Sequence, residues 1–484
     1  MNYNQFLNMI PEAMLVAILI IVFIVDFASS NDNERKGFNP FVCVMMGVLT
    51  LVCTLPLAPR EAFGGMYVTN SAVNVMKAIL SLASLIVVIM SRNWVSKPEN
   101  KGHEGEFYML VISTLLGMFV MMSAGHFLMF YLGLEMASIP MACLVALDKH
   151  RNDSAEGAAK YILTAAFSSG VMLFGLSFIY GISGSLYFSD VATHLTDSPL
   201  AVLGMVFFFS GLGFKISLVP FHFWTADTYQ GAPTVVTAYL SVASKGAAAF
   251  TFLVILFRVF TVLSVQWHFF LYIVIILSIT VANLFAMRQK DLKRFMAFSS
   301  ISQAGYIMLA AVGEQTMGVA ALSFYVLVYV AANLAVFSVI NVVEQSNGGT
   351  TNMDSYNGFY TTNPKLSFLM TVALFSLAGI PPFAGMFSKF FVFMAGVSGH
   401  SFDTTMGVWA YFVVFVALVN TVVSLYYYLL IVKAMYIKKT ETPLPTFKSD
   451  FNTKLSLALC TLGIMAFGLF SGIYQWIYDA AVNF

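Results

Sequence analysis

Charge is scarce in this chain: Asp, Glu, Lys and Arg make up 10% of its 484 residues, while 59% are hydrophobic. That balance, with a strongly positive mean hydropathy, excludes a soluble globular domain and points to a polytopic membrane protein. The net charge of +1 is too small for the total to point to nucleic acid or acidic partners, and none is expected. Cysteine is equally sparse. Cys43, Cys53, Cys143 and Cys460 all lie in apolar stretches with no CxxC pair, which argues against a disulfide framework, a zinc site or an iron–sulfur cluster. There is no GxGxxG after a strand, no Walker loop and no paired-histidine spacing for haem, so no redox or nucleotide site is expected on this chain, and no bound cofactor or metal. The first apolar run, Ile10 to Phe27, lacks a basic leading region and an A-x-A site and carries Glu12 near its start. It reads as a retained span rather than a cleaved signal.

What is abundant is apolar runs of membrane-crossing length, about 20 residues each. Fourteen can be marked, near 9–27, 41–59, 70–90, 107–123, 126–147, 158–182, 200–229, 233–263, 267–287, 292–312, 316–341, 365–397, 406–435 and 453–479. The connections following odd-numbered spans hold eighteen of the 24 Lys and Arg residues, among them Arg35, Lys36, Lys101, Lys149, Arg288, Lys290 and Arg294. Those following even-numbered spans hold only Arg60 and Arg258. By the positive-inside rule the basic loops face the cytoplasm, which puts both termini on the outer side. The longest cytoplasmic connection, around Val343–Pro364, is polar and rich in Asn, Gly and Thr, and reads as a loop.

Against this background, Glu135, Lys215, Lys245 and Lys389 fall deep inside apolar runs. Each would cost roughly 2.5–3.5 kcal/mol if left unpaired at the bilayer centre, so the default reading is an ion or proton path. Spans 7 and 12 are also too long for simple helices. Span 7 reads GLGFKISLVPFHFWTADTYQGAP and span 12 reads FSLAGIPPFAGMFSKFF, so Pro220 interrupts the first, and Gly379, Pro381 and Pro382 the second. Paired interrupted spans in corresponding places are a sequence sign of a transport site. They lie five spans apart, an odd number, so two copies of one unit must be inverted in the membrane. The expected organisation is an N-terminal three-helix segment at 1–106, a first five-helix repeat at 107–263, an inverted second repeat at 264–435, and a C-terminal loop and last span at 436–484.

Glu135, the carboxylate near the middle of span 5, is the natural partner for Lys215, and a pair whose separation changes acts as a proton valve. Lys245 lies among small residues in span 8. Neither it nor Lys389 has an evident carboxylate partner, which suits neutral groups or stations on a hydrated path. Lys160, His222, Ser302, Gln303 and Tyr306 form a secondary set. His222 can feed protons inward or sit in an interfacial aromatic belt, and Lys160 can take up protons or anchor the positive-inside end. The polar stripe Ser299, Ser300, Ser302, Gln303 and Tyr306 on span 10 suits a water wire or interhelical hydrogen bonds alike.

The segments FYLGLEMASIPM, AAKYILTAAFSSG, GLGFKISLVPFHFWTADTYQGAP, SVASKGAAAF, DLKRFMAFSSISQAGYIM and SLAGIPPFAGMFSKFFVF run in order across spans 5 to 12. Together they resemble the antiporter-like membrane subunits of bacterial proton-translocating NADH:quinone oxidoreductase (respiratory complex I, NDH-1), and within them the subunit N branch. The resemblance implies a non-redox, proton-translocating role in an all-α fold of about fourteen transmembrane helices in the bacterial cytoplasmic membrane. It implies a span-5 glutamate at Glu135, a broken-helix lysine at Lys215, a central lysine at Lys245 and a span-12 lysine at Lys389, where the related subunit M carries a glutamate. Lys160 matches the lysine opening span 6. Gln303 departs from members with a histidine in span 10, and a glutamine holds a water wire but no proton. The implied partners are M-like, K-like and J-like membrane subunits and lipids. FMN, iron–sulfur clusters, NADH and a quinone would be used elsewhere in the complex. The rival implication is a subunit of a multi-subunit sodium/proton antiporter.

Overall fold

A computed structural model describes residues 3–29, 37–56, 58–100, 102–441, 443–482 and 484. The basic residues Arg35, Lys36 and Lys101 lie outside the described residues. Helices dominate. The N-terminal group is α1 (Ile10–Ala28), α2 (Phe38–Thr54) and α3 (Ser71–Val95), with a short antiparallel hairpin of β1 (Arg60–Ala62) and β2 (Tyr67–Thr69) between α2 and α3. Next come α4 (Glu104–Met122), α5 (Phe127–Val145), α6 (Asn152–Ser183), the short α7 (Phe188–His194), α8 (Pro199–Ile216), α9 (Phe223–Gly231), α10 (Thr234–Tyr239) and α11 (Lys245–Arg258). A second run follows with α12 (Ser264–Ala286), α13 (Leu292–Leu309), α14 (Gln315–Ser346), the one-turn α15 (Phe359–Thr362), α16 (Pro364–Ala378), α17 (Ala384–Val397) and α18 (Thr405–Tyr436). The chain closes with α19 (Phe451–Leu469) and α20 (Ser471–Val482).

Among the described residues, eleven helices are long and apolar enough to cross a membrane, counting α10 and α11 as one, and α2, α16 and α17 are shorter apolar helices. Local chemistry sets many of the ends. Asn70, Ser198, Asp291, Thr404 and Asp450 each accept a backbone N–H in the first turn of the helix they precede, which satisfies donors a helix cannot pair internally. Gly184 and Gly379 end α6 and α16 in the left-handed conformation.

Burial orders these helices. The apolar windows of α14, α11 with α10, and α3 are almost wholly enclosed, whereas those of α1, α6, α18 and α19 are about one-third buried. Leu163 and Phe167 on α6 and Phe415 and Val422 on α18 stand exposed, as residues facing lipid or a neighbouring subunit do. The enclosed centre is where the polar side chains collect. A chain so apolar outside and so polar at its axis is a multi-pass membrane protein with its working groups inside.

A buried lysine axis as the candidate functional site

Span 7 is broken in the structure between α8 and α9. Ser217 adopts φ +67° just after Lys215, and the Val219–Pro220 peptide is cis. The backbone groups freed by the break find protein partners, as they must in a membrane. Leu218 N–H donates to the Gly213 carbonyl at 2.8 Å, Trp224 Nε1 donates to the Phe214 carbonyl at 3.1 Å, and Ser278 Oγ on α12 accepts from Val219 N–H at 2.9 Å. Lys215 thus occupies the last turn of α8, where the helix dipole is negative and favours a cation. Its ammonium donates to Ser138 Oγ on α5 at 2.6 Å and Tyr161 Oη on α6 at 3.0 Å.

Glu135 is placed differently from the sequence expectation. It is half-buried beside the exposed Leu132, Met136 and Ile139, and accepts a 2.6 Å hydrogen bond from Ser169 Oγ on α6. No ion pair joins it to Lys215 in this structure, although its helix supplies Ser138, one turn on, as a Lys215 acceptor. Two carboxylates near helix ends are more enclosed, Glu12, ion-paired to Lys77, and Glu344, ion-paired to Lys293 and Arg151.

Lys245 opens α11 directly after a π-helical turn, Leu240–Ser244. Such turns are frequent at functional sites because they free backbone groups and re-aim side chains. Its ammonium donates to Ser300 Oγ on α13, which also contacts Tyr229 Oη at 3.3 Å. One helical turn of α13 further, Gln303 donates to Tyr428 Oη at 3.1 Å and to the Leu377 carbonyl at 3.3 Å, and accepts from Tyr325 Oη. A void of about 10 Å³ bounded by Gln303, Tyr325, Tyr329, Ser376 and Lys389 is about the size of one water. Gln303 is thus the hub of a network that joins two tyrosine hydroxyls and the Leu377 carbonyl.

Span 12 is broken between α16 and α17, with Gly379 at φ +87° and the Pro381–Pro382 peptide cis. Lys389 lies on the far side of that break in sequence, yet its ammonium reaches back to the Ala378 carbonyl at 3.0 Å. This resolves the uneven spacing of the two lysines about their prolines. Lys215 sits at the C-terminal end of the first half-helix by sequence position, and Lys389 reaches the equivalent place with its side chain. Both are held by the negative end of a half-helix dipole.

Among the described residues, Lys215, Lys245 and Lys389 have no ion-pair partner. Each instead lies over a tyrosine ring: Lys215 is 5.6 Å from the Tyr161 centroid, Lys245 5.2 Å from Tyr229 and Lys389 5.0 Å from Tyr306. A ring face and neutral acceptors stabilise an ammonium far less than a carboxylate does.

The secondary set divides. Tyr306 belongs to the axis, with its hydroxyl donating to the Ala417 carbonyl at 3.3 Å and its ring under Lys389. Ser302 is buried beside Tyr427, and His222, at the break of span 7, is buried with its ring against Phe223. Lys160 is half-exposed and pairs with Glu156 and Asp227, each at 2.6 Å; Asp227 also binds Arg294 at 2.6 Å. The sequence reading missed Ser138, Tyr161, Tyr229, Tyr325 and Tyr428. Their only sequence signal is spacing, as Ser138 lies one helical turn after Glu135.

One test concerns Gly379. A Cβ there would lie 3.0 Å from Lys389 Cδ, on a residue already at positive φ. Gly379→Ala therefore costs about 1–2 kcal/mol in backbone strain and pushes the lysine from the Ala378 carbonyl. The expected result is a protein of lower thermal stability, read by thermal melts. A wild-type melting temperature would dissolve the link between the break and the lysine.

The comparisons with known proteins agree with this geometry. The family described as NADH:quinone oxidoreductase/Mrp antiporter, TM, matches residues 124–418. The chain is 52% identical over 485 aligned residues to NADH-quinone oxidoreductase subunit N of Phocaeicola vulgatus, with all of both chains covered. It is 48% identical to the subunit N of Azobacteroides pseudotrichonymphae, over 99% of this chain and 98% of that one. Among solved structures, a chain of respiratory complex I from Thermus thermophilus superposes with a TM-score of 0.78 at 30% identity, covering 96% of this chain and 98% of that one. A chain of the Mrp complex from Dietzia sp. DQ12-45-1b superposes with a TM-score of 0.85 at 18% identity, over 98% and 97% of the two chains, a likeness of fold alone. With its full length matched at such identity and its broken helices and buried lysines in place, the chain belongs to the subunit N family of NADH-quinone oxidoreductase.

Proposed function

We propose that this chain translocates protons as a non-redox membrane subunit of an NADH-quinone oxidoreductase, driven by quinone reduction on other subunits. FMN, iron–sulfur clusters, NADH and quinone belong to those other subunits, and M-like, K-like and J-like membrane subunits are its neighbours. The observation that carries the reading is the axis of three enclosed lysines, each over a tyrosine ring and none ion-paired among the described residues. In the proposed cycle Glu135 and Lys215 form the gate, Lys245 the central relay and Lys389 the exchange point. Motion of α5 relative to α8 would exchange Ser138 for Glu135 as the acceptor facing Lys215, holding or releasing its proton. Lys160 with Asp227, and His222, lie on the uptake side, and Ser302, Gln303 and Tyr306 line the passage between Lys245 and Lys389. The arrangement is fourteen spans in two inverted five-helix units, 107–263 and 264–435, in the bacterial inner membrane with both termini outside. The antiporter reading is weaker, because the full-length relatives at 48–52% identity are named subunit N.

Affinity purification of the tagged chain in mild detergent tests this. The expected preparation carries flavin and iron–sulfur absorbance, oxidises NADH with a quinone and, in proteoliposomes, takes up protons during turnover. A preparation without flavin or iron–sulfur subunits that exchanges sodium for protons would overturn it in favour of the antiporter.

A further inference from the structure

A fourth enclosed lysine lies outside the axis. Lys77, in the second turn of α3, is fully buried and pairs at 2.7 Å with Glu12 of α1, which is itself 3% exposed. Tyr67 on β2 closes the group into a ring, as its hydroxyl donates to Glu12 Oε2 at 3.0 Å and accepts from Lys77 Nζ at 3.2 Å. Ser123, at the end of α4, donates to Glu12 Oε1 at 3.4 Å. The aromatic faces of Tyr67 and Phe119 lie 5.3 and 5.7 Å from the ammonium.

Stability alone does not account for this group. A buried ion pair is commonly no better than an apolar pair of equal volume, since desolvation of both charges offsets their attraction. Its position is informative. The starts of α1 and α3 and the end of α4 meet there, at the end of the molecule away from the basic loops, which is the outer side in the proposed orientation. Two open cavities flank it. One, of about 410 Å³, is lined by Cys53, Asn74 and Asp479, with Asn74 one helical turn from Lys77 on α3. The other, of about 480 Å³, is lined by Val68 and Gly125, neighbours in sequence of Tyr67 and Ala124 at the Ser123 end of α4. Inward, α3 packs on the helix of Lys245: a Cβ on Gly246 would lie 3.4 Å from Met76 Cε and 3.5 Å from Leu80 Cδ2.

We propose that Glu12, Lys77 and Tyr67 form an outer-side proton-release station, a part of the pathway distinct from the lysine axis. This rests on the proton-translocating reading above. The Tyr67 hydroxyl takes a proton from the Lys77 ammonium as it gives its own to the Glu12 carboxylate, which leaves a neutral amine beside a neutral acid. The acid loses that proton to water in the flanking outer cavities, and the amine takes one from the Lys245 side of α3. One proton enters and one leaves, and the ion pair is restored. The Met76 and Leu80 side chains are the barrier that must part for the second step.

The test uses the whole complex in proteoliposomes, with proton uptake and NADH oxidation recorded together, because their ratio does not depend on how much complex assembles. The double variant Glu12→Gln/Lys77→Met removes both charges without stranding either. The expected ratio of protons taken up to NADH oxidised falls clearly below that of the wild-type complex. An unchanged ratio overturns the station. Should the double variant not assemble, Tyr67→Phe keeps the ion pair and removes only the bridging hydroxyl; a lowered ratio supports the station and a wild-type ratio overturns it. If wild-type vesicles take up no protons during NADH oxidation, the functional reading itself fails, a result separate from either variant outcome.

Discussion

Lys245→Arg is expected to stop coupled proton uptake, by at least about 10-fold, in a complex that still assembles. The substitution separates carrying a charge from releasing a proton. Arginine keeps the positive charge, can donate to Ser300, and stacks on the Tyr229 ring at least as well as lysine does. It cannot deprotonate at any physiological pH. If Lys245 only balances charge or braces α11 against α13, arginine should serve and pumping should stay near wild type. If it is a relay, the proton has nowhere to go. Measuring proton uptake against NADH oxidation in proteoliposomes, with assembly checked on native gels, distinguishes the two. Wild-type turnover and stoichiometry in the arginine variant would remove Lys245 from the path. Lys245→Met, close in length but uncharged, should fail as arginine does, which shows that the defect is the missing proton step and not the sign of the charge.

How far the site could be read from sequence follows from what a one-dimensional pattern contains. Depth in the membrane is legible, because an apolar run has a length and a charged residue has a place within it. That is why Lys215, Lys245 and Lys389 stood out, and why the prolines marked both breaks. The rotation of each helix about its own axis is far less legible in spans that are apolar on every side. Glu135 and Ser138 are one turn apart on α5, and only their orientation decides which of them faces Lys215. The Lys389 acceptor is a backbone carbonyl, Ala378, made available by the break and so carried by no side-chain letter. Glu12 and Lys77 show a further limit. Glu12 reads as the flank of the first span and Lys77 as one more lysine in an apolar run, and only packing of α1 against α3 and α4 makes them one group. Gln303 changed most in meaning. In the sequence it is a gap in a titratable series, whereas in the structure its amide joins Tyr325, Tyr428 and the Leu377 carbonyl.

Lys215→Ala is expected to lower NADH-driven proton uptake at least about 10-fold, with a smaller loss of NADH oxidation in uncoupled vesicles. The ammonium is enclosed and holds α8 to both α5 and α6 through Ser138 and Tyr161. Alanine removes that bridge and the charge at the negative end of the α8 dipole, but leaves two hydroxyls that can bond to water or to one another. The variant should therefore assemble, and its defect should lie in coupling. Near-normal pumping with verified assembly would exclude Lys215 from the gate. The role of Glu135 can be separated in the same assay. In the arrangement seen here Glu135 bonds Ser169, so Glu135→Gln preserves an acceptor for that hydroxyl and should leave the fold undisturbed. If the gate works by bringing Glu135 to Lys215, the glutamine variant lacks the charge that holds the lysine proton, and its pumping should fall too. Combined with Lys215→Ala it should add no further loss, since two residues acting on one step are not additive. Additive losses would mean that Glu135 and Lys215 act on separate steps, and the gate would then have to be assigned to Lys215 with Ser138 and Tyr161 alone.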